Sequence, residues 1–422
     1  MKNRIAIATK NLRNEHHIKI VFDKSAKSWF PVLLFIILIL VGITILNGSY
    51  KNSYILYATT FSIGMTFVFL SNHIRGSKSI ERKLYIVGFF MLGSLYIFRD
   101  QIGIDDWQYL RIFNLAKQYT LKEYFLKSGL EIGFQSVNYL LFVLGCDYNL
   151  TQIIISGITI YIWGIAIWNY RKIADRTIVT FLFVTLLYYL MMASGLVRIF
   201  LASGIIFWGL RYVFESNYKK FFVVIIVASL FHMSALVTFI LVVGSAFHDY
   251  FYRHWKLFLG ILIIVIPISF FIISRFLAPS LGARYAGYMS IGSFNIVSAL
   301  IDMISVFPFL LYGAFLYPTI DANVNIKRPI MILIGLTVII QLYNSVFHLG
   351  RIAYYTLTGV ILLCGILVKS KKHYIASFIF PSLVVIYGFL YLFSVDFAAN
   401  GLGEYLLNYH SILNIINSWF GL

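Results

Sequence analysis

Five of the sixteen acidic residues in this 422-residue chain fall between Arg99 and Phe134: Asp100, Asp105, Asp106, Glu123 and Glu131. The segment reads RDQIGIDDWQYLRIFNLAKQYTLKEYFLKSGLEIGF and lies between hydrophobic stretches. A carboxylate there can serve as a general base. Two arginines stand in apolar surroundings elsewhere: Arg198 in ASGLVRIFLASG and Arg351 in SVFHLGRIAYY. Arginine at membrane depth costs at least ~2.5 kcal/mol, so each should face a partner or a wet cavity. The planar, permanently charged guanidinium suits phosphate oxygens, which makes the pair a candidate phosphate clamp, with Arg284 in GARYAGY as a third cation. His348 and His410 are further candidate bases.

Each residue also has a structural reading. Acids at Asp105 and Asp106 suit the positive end of a helix. Thr120 with Glu123 three residues on fits a capping box. The arginines can snorkel or pair with acids of the insert, and His232 in LFHMSAL reads as a packing or helix-break residue. No set of side chains has metal-ligand spacing, and Cys146 and Cys364 show no CxxC pattern, so neither a metal nor a disulfide is expected.

The elements that must hold these residues follow from composition. The chain is 60% hydrophobic and 12% charged, with repeated apolar runs near or above the roughly 18 residues that cross a bilayer. This predicts an all-α polytopic membrane protein. The net charge of +18 is spread in short clusters between apolar runs, which points to membrane orientation and away from nucleic acid. Met1 to Trp29 is polar and basic, without the short apolar core of a cleaved signal, so the first apolar run is expected to be a retained helix. No GxxxxGK[ST], GxGxxG or GxSxG pattern occurs, so neither ATP-driven transport nor a Rossmann cofactor is supported, and no cofactor is expected.

Full spans are expected at 29–47, 53–71, 84–98, 149–169, 177–195, 197–214, 257–276, 294–316, 330–349, 351–368 and 374–394, about eleven crossings. Two apolar pieces do not fit as simple spans: 132–146 is short and carries Gln135 and Asn138, and 221–247 is interrupted by His232 and Ser234. With 132–146 kept outside and 221–247 bent back as a re-entrant pair of half-helices, 24 of the 34 Lys and Arg residues fall on one side. The positive-inside rule makes that side cytoplasmic. The expected organisation is a cytoplasmic basic N-terminus (1–28), one transmembrane domain (29–394) with an extracytoplasmic insert (99–148), and an extracytoplasmic tail (395–422). The insert is predicted to hold two amphipathic helices, 105–118 and 120–128.

The same residues carry a family resemblance. Asp105, Asp106, Trp107 and Tyr109 after the third span, then Glu131, Gly133 and Phe134, form D…DW..Y and E.GF. They are followed by Arg198 with Ala202, A..FH.SAL at Ala228 to Leu236, R..YY at Arg351, Tyr354 and Tyr355, and a late Y…Y at Tyr405 and Tyr409. In this order, from about residue 90 to the C-terminus, the pattern resembles the EpsG family of Wzy-like polysaccharide repeat-unit polymerases. It departs at Ile199, where the family often has Gln after the first arginine.

The resemblance implies a GT-C-like glycosyltransferase of the bacterial inner membrane, active on its extracytoplasmic face. It would move a growing glycan from undecaprenyl diphosphate onto a second undecaprenyl-diphosphate-linked repeat unit, without a nucleotide sugar. It also implies the bilayer as partner and admits a chain-length regulator protein. On this reading Glu131, Asp106, Asp105 and His410 supply the base, and Arg198, Arg351, Arg284 and Arg99 hold the diphosphate. Trp107, Tyr109, Tyr354, Tyr355 and Tyr409 meet sugar rings, although interfacial aromatics also anchor helices. Two alternatives remain: an O-antigen ligase-type transferase using the same carrier, and a flippase or transporter of the lipid-linked unit.

Overall fold

A computed structural model of the chain describes residues 19–20, 49–75, 77–247, 250, 264, 268, 323–347, 350–370 and 411–413. Helix follows helix: α1 (Ser49–His73), α2 (Lys78–Ile97), three short insert helices α3 (Asp106–Leu115), α4 (Leu121–Ser128) and α5 (Ile132–Val143), then α6 (Tyr148–Asn169). Next come α7 (Arg176–Phe183), α8 (Tyr189–Ser194), α9 (Val197–Phe214), α10 (Tyr218–Ser229), α11 (Phe239–Ala246), α12 (Val324–Phe347) and α13 (Gly350–Ser370). Strand pairing among the described residues is limited to Lys19–Ile20 antiparallel to Ile74–Arg75 and an isolated bridge from Arg99 to Ser411.

Among the described residues five helices are long and apolar enough to cross a membrane: Ile55–His73, Tyr148–Lys172, Val197–Phe214, Val324–Gln341 and Arg351–Ser370. They coincide with the expected spans 53–71, 149–169, 197–214, 330–349 and 351–368. The expected 84–98 and 177–195 fall on α2 and on α7 with α8. The spans expected at 29–47, 257–276, 294–316 and 374–394 lie outside the described residues, apart from single helical positions at Ile264 and Ile268. The two awkward pieces also keep their character. The 132–146 piece is the short helix α5, and 221–247 breaks after α10 and resumes as a 3-10 turn over Met233–Thr238 before α11.

Polar residues at the helix starts explain several boundaries. Asp147 accepts the Leu150 N–H at 2.8 Å to open α6, and Asp175 accepts the Ile178 N–H at 3.1 Å to open α7, each capping a donor that has no partner inside the helix. The core is aromatic. Trp163 of α6 is fully buried against Phe183, Phe200 and Phe207, and its indole N–H donates to the Phe200 carbonyl at 3.1 Å.

Between α7 and α8 the helix widens into a π-turn, Val184–Tyr188. Such turns re-aim side chains and recur at functional sites. Here the Tyr188 hydroxyl is turned to accept the Tyr96 N–H at 2.9 Å, near the end of α2 where the insert begins.

The charged residues collect at two ends of the bundle. At one end Arg176 pairs with Glu81 at 2.9 Å, Asn72 donates to Asp175 at 2.9 Å, and Lys369 donates to the Arg171 carbonyl. The other end gathers the C-terminus of α2, the insert, the starts of α6, α9 and α13, and the break after α10. Residues 411–413 join it, because the Ile412 N–H donates to the Phe98 carbonyl at 2.9 Å.

Candidate functional site

One turn of α3 meets three arginines from three different elements. Asp105 lies 3.7 Å from Arg351 at the start of α13. Asp106 pairs with Arg99, just past α2, at 3.4 Å. The Tyr109 hydroxyl is 3.4 Å from Nε of Arg198, in the first turn of α9. Residues 105 and 109 are one turn apart, about 6 Å along the axis, so the insert brings the arginine sites together.

Backbone contact permits this. Gly195, which ends α8 at φ +65°, lies against the insert so closely that an added Cβ would stand 2.9 Å from the Asp105 amide nitrogen. Gly103 approaches from the other side, and its own added Cβ would be 2.6 Å from the Gly195 Cα. Two glycines thus let α3 dock beside the start of α9.

The Arg99–Asp106 pair is sealed, at 0% and 1% exposure. Arg99 Nη1 donates to the Tyr96 carbonyl at 2.6 Å and to Ser156 Oγ at 3.0 Å, and the guanidinium sits 3.9 Å from the Tyr96 ring centre. Gln152 donates to the Arg99 carbonyl at 2.7 Å. Asp106 Oδ1 and Arg99 Nη2 have no hydrogen-bond partner among the described residues. Burial pushes the Asp106 carboxyl above its ordinary value, and the one-point contact with Arg99 offsets only part of that.

Glu131 caps no backbone N–H of α5 with its side chain. Its carboxylate instead takes Nη1 of Arg198 on one oxygen and the Met233 N–H, at 3.2 Å, on the other. Burial pushes this carboxyl up, but Arg198, His232 and backbone N–H groups together outweigh it and hold it below the ordinary carboxylate value. The pair is nearly enclosed, with 7% of Arg198 and 10% of Glu131 exposed. Arg198 Nη2 makes no hydrogen bond among the described residues, so the guanidinium keeps a donor edge beyond Glu131 and Tyr109.

Below this pair the lining turns apolar. A groove of about 450 Å³ runs between α5, α6, α9 and α10. Phe134 is three residues past Glu131, Leu201 three past Arg198, and Phe231 precedes His232, so the elements that carry Glu131, Arg198 and His232 each supply a groove residue. On α6 the lining extends from Ile155 to Ile165, roughly 15 Å along the axis. A second groove of about 350 Å³ lies between α2 and α6, with Arg82, Ile97 and Gly157 in its lining.

The remaining expected site residues are placed as follows. Trp107 is exposed on α3. Tyr354 is half-buried, while Tyr355 is fully buried and accepts from Ser234 Oγ at 3.2 Å. Glu123 caps its own helix, taking the Thr120 N–H at 3.1 Å and the Thr120 hydroxyl at 3.0 Å, as the Thr120–Glu123 spacing predicts. Arg284, His348, Tyr409 and His410 lie outside the described residues.

His232 reads as a break residue in sequence, and it stands at the start of the 3-10 turn. The residue also belongs to the Glu131 cluster, which the 100 residues between them hide. The available signal was the motif from Ala228 to Leu236, which places His and Ser at the point where an apolar run fails.

The family model of the EpsG family matches residues 82–411. The chain belongs to the EpsG family. The match runs from within α2 to Ser411 and so contains every arginine and acid of the cluster. Comparison with curated proteins and with solved structures gives no match. EpsG membership carries a polysaccharide polymerase role of glycosyltransferase-like type, in keeping with a Wzy-like family. The apolar helices make this member a membrane protein.

Proposed function

We propose that this EpsG protein lengthens a surface polysaccharide by transferring a glycan from a lipid diphosphate carrier, undecaprenyl diphosphate, onto a second lipid-linked repeat unit. The observation that carries the reading is the position of Arg198. A buried guanidinium with an unused donor edge stands about one helical turn from Leu201 in the lining of an apolar groove, which suits an anionic head joined to a long hydrocarbon tail.

Arg198 and Arg351 hold the leaving diphosphate and stabilise the charge that develops on it, in a site poor in water. Arg284 is a third cation for the same task. The sealed Arg99 and Asp106 have another role: they fasten the insert to α2 and to α6, so that Glu131 and Tyr109 face Arg198. Trp107, exposed on α3 beside the cluster, offers a stacking face for a sugar ring. The positive-inside count supports an extracytoplasmic position for this end of the bundle. A single in-line displacement at the sugar carbon, with inversion, fits two lipid-linked substrates meeting at one site.

The test uses the purified full chain in lipid nanodiscs with a lipid-diphosphate-linked repeat unit and no other protein. Chain growth read on a glycan ladder supports the reading. Arg198→Ala and Arg351→Ala should abolish growth at normal abundance in the membrane, and Arg→Lys at either position should also be damaging, because lysine lacks the fork. Full activity in both alanine variants would exclude the clamp. Transport of the lipid-linked unit across the bilayer without extension would favour a transporter instead.

A further inference from the structure

The displacement releases a proton from the acceptor hydroxyl, and the acids of the cluster are poor acceptors for it. Asp106 is enclosed and ion-paired. Glu131 is held low, and its two oxygens are taken by Arg198 and by the Met233 N–H. Efficient general bases titrate near the working pH, a range in which histidine is the ordinary choice.

His232 stands at the break after α10, and that break is fastened to both sides of Glu131. The Gly133 N–H donates to the Leu230 carbonyl at 2.8 Å, and the Met233 N–H donates to Glu131 at 3.2 Å. On its other side His232 Nδ1 is 2.6 Å from Ser234 Oγ, and Ser234 Oγ donates to the Tyr355 hydroxyl at 3.2 Å. A serine hydroxyl has a single hydrogen. With that hydrogen directed to Tyr355, the 2.6 Å contact is Nδ1–H donating to Ser234, which leaves Nε2 as the basic nitrogen. The Ser234 N–H lies 3.4 Å from the same Nδ1, too long to set the tautomer against a contact at 2.6 Å.

We propose that His232 takes the proton of the acceptor hydroxyl, with Glu131 as its charge partner and Ser234 and Tyr355 as the groups that fix its tautomer. The inference rests on the polymerase reading above. The acceptor O–H bond breaks and its proton passes to Nε2, while the oxygen forms the new bond to the anomeric carbon. The bond from that carbon to the diphosphate oxygen breaks, and its electron pair leaves with the lipid diphosphate, held by Arg198 and Arg351. The imidazolium then returns the proton to water. Glu131 from α5 bears on its charge directly, with Arg198 from α9 paired to Glu131, Tyr109 behind Arg198, and Tyr355 from α13 beyond Ser234.

The competing account is a helix cap and nothing more. Asparagine separates the two, because it caps as well as or better than histidine but does not titrate. His232→Asn in the full chain should accumulate normally, extend chains about 10²–10⁴-fold more slowly, and lose the acidic limb of the pH–rate profile. Ser234→Ala should also slow growth at normal abundance. Independently of activity, selectively labelled histidine in nanodiscs should show a His232 titration whose midpoint falls in Glu131→Gln.

Wild-type rate and an unchanged acidic limb in His232→Asn would overturn the proposal, and so would a midpoint that does not move in Glu131→Gln. If His232→Asn does not accumulate, the Ser234→Ala rate and the titration decide. A wild-type protein that extends no lipid-diphosphate-linked unit defeats the polymerase reading, while the titration still answers for the His232–Glu131 pair.

Discussion

Replacing Glu131 with leucine removes the anion that meets Arg198 and leaves the guanidinium with the Tyr109 hydroxyl as its hydrogen-bond partner among the described residues. The two side chains are only 7% and 10% exposed, so solvent screens the orphaned charge poorly. The cost is that of a broken buried pair, about 3–5 kcal/mol. Arg198→Met orphans the carboxylate in turn. There the Met233 N–H and His232 remain, which places the loss near the lower end, about 3 kcal/mol. Changing both residues, Arg198→Met with Glu131→Leu, removes both charges together and should cost less than either single change, because a buried pair replaced by apolar groups is often neutral. The singles then sum to about 6 kcal/mol or more, against roughly 1 for the double. Unfolding of the three variants in nanodiscs, followed by tryptophan fluorescence, measures the cycle. Chain growth should be absent from all three. A double variant as unstable as the sum of its singles would refute the mutual dependence of the two charges, and a double variant that makes polymer would remove Arg198 from the reaction.

The other ion pairs should behave differently. The Arg351–Asp105 contact, at 3.7 Å between groups 35% and 19% exposed, should contribute less than about 1 kcal/mol, read as the coupling in a double-mutant melting cycle, while Arg351→Ala should stop polymer synthesis on a glycan ladder. The double change Arg99→Met with Asp106→Leu should keep measurable chain growth if that pair only positions the insert, whereas Arg99→Met alone should unfold at clearly lower temperature. Gly195→Ala forces a side chain onto φ +65°, about 1–2 kcal/mol, and meets the Asp105 amide at 2.9 Å, so it should lower both stability and activity. The Glu131 carboxyl is depressed in the folded chain, so its contribution is present above the ordinary carboxylate value and is lost as pH falls through the folded one. The stability difference between wild type and Glu131→Gln should therefore shrink on acidification below about pH 4.3, measured by melting across that range.

Local features of the fold were open to sequence reasoning, because local physics decides them. The span expected at 197–214 is the observed Val197–Phe214, set by apolar composition alone. Thr120 and Glu123 stand at the spacing a capping box requires, and His232 with Ser234 marks the break because an apolar run cannot absorb two polar side chains without a bend. The partnerships were less visible. Arg99 reads as a diphosphate-binding cation in sequence, yet Tyr96, Ser156 and Gln152 enclose it, and two of those three belong to a helix some fifty residues further on. Glu131 and His232 meet because α5 starts where α10 stops, a coincidence of helix lengths that no periodicity encodes. The Glu131–Arg198 contact follows from topology, once both residues are assigned to one face.

The three ion pairs along α3 and α5 form a gradient of enclosure, and the gradient separates structural from chemical roles. Arg99–Asp106 is closed to solvent, Arg198–Glu131 nearly so, and Arg351–Asp105 partly open. A fully sealed charge pair cannot meet a substrate without unfolding its surroundings, so its use lies in fixing where α3 sits. A fully open pair would be screened and would stabilise little charge in a leaving group. The Arg198–Glu131 pair lies between these limits: dry enough for its field to be strong, and about one helical turn from Leu201 and Phe134 in the lining of the apolar groove. The π-turn acts one step earlier in the same chain of positioning. It aims Tyr188 at Tyr96, Tyr96 carries Arg99, Arg99 holds Asp106, and Asp106 sets the turn from which Tyr109 reaches Arg198.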